Sequence, residues 1–378
     1  MESEKEFSDI DWNEVVSDET TYFLFPDKIL SSSDYLDVKN IEEIGDLESC
    51  ILLKTSGSSG IEKWVIHSKS NLLEHAGLVN SHLLVTDADV FGLVLPTHHV
   101  GGLGVIARAY LSGAGLVRMM EKWSASRCID FIKAHKVSVL SLVPTQLVDL
   151  ITVGFSCPES MRVAVVGGGA LDEEVLNEAI NLGWPVQLSY GMTETGSQIA
   201  TGGNSDYMKL INGWQVQLST EGVLEVRGDC LLEGYLEKNH SGDYRLVDPK
   251  IDGWFKTSDR VEICENNREI GIKFLGRNDQ VVKVLGELVN VSILEERLSN
   301  FLKDEVYIIT VNNVRRGVDL VPVIVNSSLI GAINNIKWTG LHRLEEAIVL
   351  DDFPKNEMGK LLRLKLREMV ESIVFPSD

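Results

Sequence analysis

Between Lys54 and Trp64 the chain reads KTSGSSGIEKW, with four hydroxyls (Thr55, Ser56, Ser58, Ser59) set around Gly57 and Gly60 and a cation, Lys63, at the end. Glycine lets the backbone take left-handed turns and lets another molecule come close to the main chain. Successive N–H groups in such turns form a concavity that holds an anion. Phosphate binding is the chemistry that suits this loop. Its spacing is not that of the common phosphate loop, in which four residues separate the glycines and Gly-Lys-Ser/Thr follows. Taken alone, the stretch reads equally well as a serine-glycine turn with no ligand.

Four further stretches hold groups that could work on a phosphate or a carboxylate: SYGMTETG (189–196), GWFKTSD (253–259), GRNDQVVKVLGE (276–287) and PKNEMGKLLR (354–363). Singly, Glu194 is an acid at a helix start, Asp259 a turn cap, Tyr190 a core aromatic and Lys360 a solvated charge. A histidine pair, His98 and His99, sits in PTHHVGGLG after an apolar run. Arg108 interrupts an otherwise apolar helical stretch, LGVIARAYL, where a charge needs a partner unless it snorkels to the surface or joins an ion pair.

The elements that must position these groups follow from the apolar pattern. From Cys50 to about Tyr190, short runs rich in β-branched residues (CILLKT, KWVIHS, DVFGLVL, VSVLSLV, MRVAVV, VQLS) alternate with helical stretches. That alternation predicts an α/β fold with a parallel or mostly parallel sheet, and ligands in such sheets sit beyond the carboxyl ends of the strands. From about Gly213 to Gly276 short alternating strands predict a small β subdomain. The last hundred residues read as a separate small α+β unit, with NVSILEERLSNFL as its clearest helix. The expected division is a large domain over 1–278, with a truncated front end, and a small mobile C-terminal domain over 279–378.

Composition narrows the class. The chain has 378 residues, 44% apolar and 24% charged, as an ordinary globular protein has. A net charge of −21 argues against nucleic acid or an anionic membrane as partner. The acidic start, MESEKEFSDIDW, lacks the basic and apolar regions of a signal peptide, and no apolar run reaches the length of a membrane span, which predicts a cytoplasmic protein. The five cysteines are scattered, without a C-x-x-C pair, and read as reduced thiols rather than a disulfide or zinc framework.

In their order and spacing the five stretches resemble the adenylate-forming superfamily of acyl-CoA synthetases, luciferases and adenylation domains, over residues 50 to the end. The resemblance implies ATP, Mg²⁺ and CoA as cofactors or co-substrates. Thr55, Ser56, Gly57, Ser58, Ser59, Gly60 and Lys63 would form the phosphate loop, with Glu62 where the family has proline. Tyr190, with Gly191 beside it, would stack on adenine. Thr193 would contact phosphate, and Glu194, with Thr55, would hold Mg²⁺. Asp259 and Arg277 would hold ribose. Gly167, Gly168, Gly169 and Ala170 would line the nucleotide and acyl pockets. Lys360 would stabilise charge on the α-phosphate as pyrophosphate leaves, and Asp279 would be the hinge of the small domain.

The segment around PTHHVGGLGVIARAYL, with SLVPTQL and SYGMTETGSQ, resembles the o-succinylbenzoate–CoA ligases of menaquinone biosynthesis. Such a substrate has two carboxylates, one to be activated and one needing a cation. Arg108 would supply that cation, with His99, Ser197 and Gln198 shaping the pocket. LGELVNV stands where relatives have a glycine-rich turn along the thiol channel. Another acyl- or aryl-CoA ligase, an adenylating domain serving a carrier protein, a non-catalytic nucleotide-binding relative and a homo-oligomeric state all stay open at this point.

Overall fold

The computed structural model describes residues 11–25, 29–31, 47–55, 63–169, 171–203, 207–238, 244–266, 269–285, 287–313, 316–336, 343–356, 359 and 361–374. The chain forms two compact units. The first comprises Met1–Leu218, Glu225–Lys256 and Glu262–Lys273; the second comprises Ser219–Leu224, Thr257–Val261 and Phe274–Asp378.

The first unit begins with helix α1 (Trp12–Ser17) and strands β1 (Tyr22–Leu24), β2 (Ile29–Ser31), β3 (Cys50–Thr55) and β4 (Lys63–Ser68). Helix α2 (Lys69–His82) follows, its N-cap Ser68 accepting from the Asn71 amide. Strict alternation then takes over: β5 (Val90–Leu93), α3 (Val100–Ser112), β6 (Gly115–Arg118), α4 (Ala125–His135), β7 (Val139–Leu142), α5 (Pro144–Thr152), β8 (Val163–Val166), α6 (Glu173–Asn181) and β9 (Val186–Met192). The strands β6, β5, β7, β8 and β9 lie side by side, each pair parallel. Every residue of β7 and β8 is buried, as strands covered on both faces require. Their carboxyl ends therefore fall on one edge of the sheet. There the turns after β5 (PTHH), β7 (Val143, Pro144), β8 (the glycines from Gly167) and β9 (Thr193 to Thr195) collect.

Beyond β9 the sheet turns antiparallel, through β10 (Ser197–Gly202) and β11 (Met208–Leu210). β12 (Gln215–Leu218), β13 (Leu224–Arg227), β14 (Gly234–Lys238), β15 (Tyr244–Val247), β16 (Lys250–Ile251) and β17 (Trp254–Lys256) follow in the chain. β18 (Asp259–Asn266) and β19 (Glu269–Arg277) complete the nine-stranded sheet beside β11.

Two sequence expectations are corrected here. CILLKT and KWVIHS do not join the parallel sheet. They pair antiparallel with each other, inside a second, six-stranded sheet of order β15-β14-β4-β3-β1-β2. Their alternation of apolar runs is the same in either setting, and the partner strands come from residues 22–31 and 234–247, far away in sequence. The region 213–276 likewise does not form one β subdomain. Only β12, β13, β17 and β16 make a sheet of their own, while β14 and β15 enter the six-stranded sheet and β18 and β19 the nine-stranded one. Trp64 and Ile66 pack with Phe23 and Leu52 on one face of the six-stranded sheet. That leaves Lys63, Val65 and His67 on the opposite face, because side chains alternate along a strand.

The second unit contains the hairpin β20 (Val281–Val284) and β21 (Glu287–Asn290), helix α7 (Val291–Leu302), strands β22 (Tyr307–Asn313) and β23 (Gly317–Ile324), helix α8 (Ile330–Asn335), β24 (Ile348–Val349) and helix α9 (Arg363–Val374). Asn290 caps α7 by accepting from the Ser292 amide. Ile308, Leu320 and Ile324 pack with Leu294 and Leu298 of α7, while Ile309 and Val323 pack with Leu366 and Val370 of α9. A short sheet with one helix-bearing core on each face is the result. No helix among the described residues is long and apolar enough to cross a membrane.

Candidate active site

In the first unit the ends of the serine-glycine loop are Thr55 and Lys63, which lie opposite each other in the β3/β4 ladder. The expected phosphate-loop residues Ser56, Gly57, Ser58, Ser59 and Gly60 lie outside the described residues, as do Ala170 and Lys360. Lys63 Nζ stands 3.1 Å from the centroid of the Tyr235 ring and 3.6 Å from Glu237 Oε1. Burial lowers the Lys63 pKa, while Glu237 and Glu194 oppose that shift.

The Thr193–Thr195 turn is held from several sides. His67 Nε2 lies 2.6 Å from the Thr193 carbonyl, so this nitrogen carries the proton and donates it. The Leu232 amide donates to the Glu194 carbonyl at 2.9 Å. The Tyr235 hydroxyl donates to Glu194 Oε1 at 3.0 Å. His67 is fully buried, and its pKa is pushed down to about 4 chiefly by that burial. Thr195 Oγ1 closes the turn, accepting from the Met192 amide at 3.1 Å and donating to the Ser197 carbonyl at 2.7 Å.

Close packing explains the glycines here. A Cβ on Gly191 would lie 1.9 Å from the Ser197 carbonyl oxygen, and one on Gly167 would lie 2.3 Å from Ser189 Oγ. Gly168 has a φ of 83°. Tyr190 is buried within β9, opposite Ala200 of β10.

A second cluster forms around Arg108. This side chain is 2% exposed. Its Nε donates to the Gly104 carbonyl at 2.8 Å, Nη1 to Gln198 Oε1 at 3.2 Å, and Nη2 to Ser141 Oγ at 3.5 Å. Burial alone pulls its pKa down to about 10, which leaves the group cationic at neutral pH. Among the described residues it has no carboxylate partner. A Cβ on Gly104 would lie 3.4 Å from Ser197 Oγ and 3.7 Å from Arg108 Nη2, so both groups converge on one bare stretch of α3. Ser197 has φ 146°, and its buried hydroxyl makes no hydrogen bond among the described residues. His75 Nε2, 2.9 Å from the Gln198 carbonyl, holds that residue's main chain from behind.

Arg108, Ser197 and Gln198 thus meet at one place. His99 stands apart, as the N-cap of α3, nine residues and roughly 14 Å of helix rise before Arg108. It packs on His98, with ring centroids 4.3 Å apart.

In the second unit Asp259 and Arg277 approach to 3.8 Å. The Asp259 amide donates to Thr257 Oγ1 at 3.0 Å, and the Asn278 amide to the Ser258 carbonyl at 2.6 Å. Asp279 follows in a turn of 3₁₀ helix spanning Asn278–Gln280. Described residues on either side of position 360 make defined contacts. Lys355 and Leu361 form a bridge, and Arg363 reaches both carboxylate oxygens of Glu295.

Sequence reasoning missed His67, Ser141 and Tyr235. Ser141 had a signal, as one of two hydroxyls in the apolar run VSVLSLV. Tyr235 and His67 had none beyond alternation, because what they touch comes from another sheet. Glu194 offers hard oxygen of the kind Mg²⁺ takes. Among the described residues no group of three or more His, Cys, Asp or Glu gathers as metal ligands. A magnesium site there would draw its other ligands from phosphate and water, which is the usual way this ion is held.

Residues 12–236 match the family described as AMP-binding enzyme. A 2-succinylbenzoate–CoA ligase from Bacillus velezensis is 30% identical over 249 residues, which take in 59% of this chain and 50% of that protein. The chain thus spans about half the length of this relative. Among solved structures, an o-succinylbenzoate CoA synthetase from Bacillus subtilis in complex with the acyl-adenylate OSB-AMP superposes with a TM-score of 0.73 at 25% identity, covering 84% of this chain and 68% of that one. The same enzyme in complex with ATP and magnesium ion gives a TM-score of 0.71 at 25% identity, over 84% and 69% of the two chains. With more than half of its length matched to that family, the chain belongs to the AMP-binding enzymes.

Proposed function

We propose that the protein is an AMP-forming acid–thiol ligase that activates o-succinylbenzoate with ATP and Mg²⁺ and passes the acyl group to CoA, in menaquinone biosynthesis and in the cytoplasm. The observation that carries the substrate is Arg108: a buried, cationic guanidinium, held by neutral oxygens, with no described carboxylate to balance it. An unbalanced buried charge is costly, and a bound carboxylate would offset that cost. Relatives that carry the name 2-succinylbenzoate–CoA ligase support the same reading.

In the first step a substrate carboxylate oxygen attacks the α-phosphorus of ATP, and the bond from that phosphorus to the pyrophosphate oxygen breaks. The serine-glycine loop and Lys63 would bind the leaving phosphates, with Thr193 as a further contact. Asp259 would accept the ribose hydroxyls, and Lys360 would stabilise the charge that builds on the α-phosphate. Mg²⁺ held by Glu194 would neutralise phosphate charge. In the second step the CoA thiolate attacks the acyl carbonyl and AMP leaves. Arg108, with Ser197 and Gln198, would hold the carboxylate that does not react.

The test is pyrophosphate release from ATP and Mg²⁺, with and without CoA, for o-succinylbenzoate beside a panel of benzoates and fatty acids. Release specific to o-succinylbenzoate, with thioester formed, is the expected outcome. Release with a different acid would replace the substrate, and no release with any acid would replace the enzyme by a nucleotide-binding protein.

A further inference from the structure

The face of the six-stranded sheet opposite the Trp64 and Ile66 core meets the turn that carries Glu194. In the β4/β14 ladder Glu237 lies opposite Lys63, and Tyr235 opposite Val65. Lys63 and Tyr235 are therefore diagonal neighbours on one face, which is why the ammonium can sit 3.1 Å from the ring centroid. Two residues beyond Val65 on that face, His67 holds the Thr193 carbonyl. The main chain of the turn is thus fixed by His67 and Leu232, and what remains to be fixed is the Glu194 carboxylate itself.

We propose that Tyr235 is a positioning residue: its hydroxyl fixes one oxygen of Glu194 so that the other is aimed at the metal, and its ring links that acid to Lys63 at the end of the serine-glycine loop. This rests on the ligase reading above. Tyr235 is 5% exposed, so its hydroxyl needs a partner, and Glu194 Oε1 at 3.0 Å is that partner. A freely rotating carboxylate would have to be ordered each time a metal–nucleotide complex binds. One already tethered does not, and groups that orient metal-binding residues in this way typically contribute about 10–100-fold in metal affinity.

The substitution that isolates the effect is Tyr235→Phe, which keeps the ring, its packing and the Lys63 contact and removes one oxygen. Mn²⁺ serves as the probe, its binding followed by electron paramagnetic resonance with a non-hydrolysable ATP analogue, alongside thermal unfolding of both proteins. The expected result is roughly tenfold weaker Mn²⁺ binding by Tyr235→Phe. Its unfolding midpoint should stay near the wild-type value, and pyrophosphate release should recover at high Mg²⁺ but not at high ATP. Wild-type Mn²⁺ affinity in Tyr235→Phe, or a loss that high ATP restores and high Mg²⁺ does not, would overturn the positioning role while leaving the ligase reading intact. Absence of Mn²⁺–nucleotide binding in the wild-type protein would overturn that reading and the positioning role with it.

Discussion

Arg108 Nη1 donates to the Gln198 side-chain oxygen at 3.2 Å, and the same Gln198 residue accepts from His75 through its main chain. The guanidinium is thus fixed by a residue that is itself fixed. Arg108→Lys keeps the charge but loses the planar fork. It should raise the KM for a dicarboxylate by about 10- to 100-fold, the worth of roughly 1.5–3 kcal/mol for a charged hydrogen bond, with the KM for ATP unchanged. Steady-state kinetics with each substrate varied in turn would show this, and equal increases for both substrates would reject the assignment.

Gly191 has no room for a side chain. Gly191→Ala would set a methyl 1.9 Å from the Ser197 oxygen across the β9/β10 ladder. The strands would have to part, at a cost of about 3 kcal/mol. Urea unfolding should show the loss, and a wild-type midpoint would contradict the packing described.

Acid should weaken the first unit through two imidazoles. His67 and His75 are pushed down to about 4 and about 3, burial being the largest cause for both. Each binds a proton less readily folded than unfolded, so its contribution is complete above pH 6.5 and is lost as pH falls from there toward the folded values. For His67 alone the loss is on the order of 3 kcal/mol. His67→Gln can still donate to the Thr193 carbonyl and does not titrate, so its stability should fall less between pH 7 and pH 5 than that of the wild type. Parallel pH profiles for the two proteins would refute the role given to His67.

Arg363 and Glu295 tie the start of α9 to α7, and the buried Glu295 also accepts from the Ile308 amide at 2.7 Å. Arg363→Met should leave that carboxylate without its cation and cost about 1 kcal/mol, since the arginine is partly open to solvent. Faster hydrogen exchange at 359–366 is expected, together with slower pyrophosphate release. Unchanged exchange there would show that the ion pair does not hold the start of α9.

Lys360→Ala should abolish adenylate formation while ATP binding persists, because a cation that acts on charge developed in the transition state does little for the ground state. Undiminished pyrophosphate release would remove Lys360 from the mechanism.

Much of the architecture was legible in the chain itself. β7 and β8 read as nearly unbroken apolar runs because both of their faces are covered. Arg108 was conspicuous because a lone charge in LGVIARAYL had to be explained. The pairing of CILLKT with KWVIHS in a separate sheet was not legible, since alternation records only which face of a strand is buried and never which strand lies beside it.

The order of the five stretches and the arginine in an apolar helix are local properties of residue type and spacing, and those the sequence determined by itself. That Tyr235 reaches Glu194, that His67 grips the Thr193 carbonyl, and that Ser141 and Gln198 enclose Arg108 was decided only by tertiary structure. Each of these contacts joins residues between 33 and 126 positions apart. Such pairs have no periodicity or spacing to betray them, because they exist only once two sheets and the edge turns of one of them have packed together.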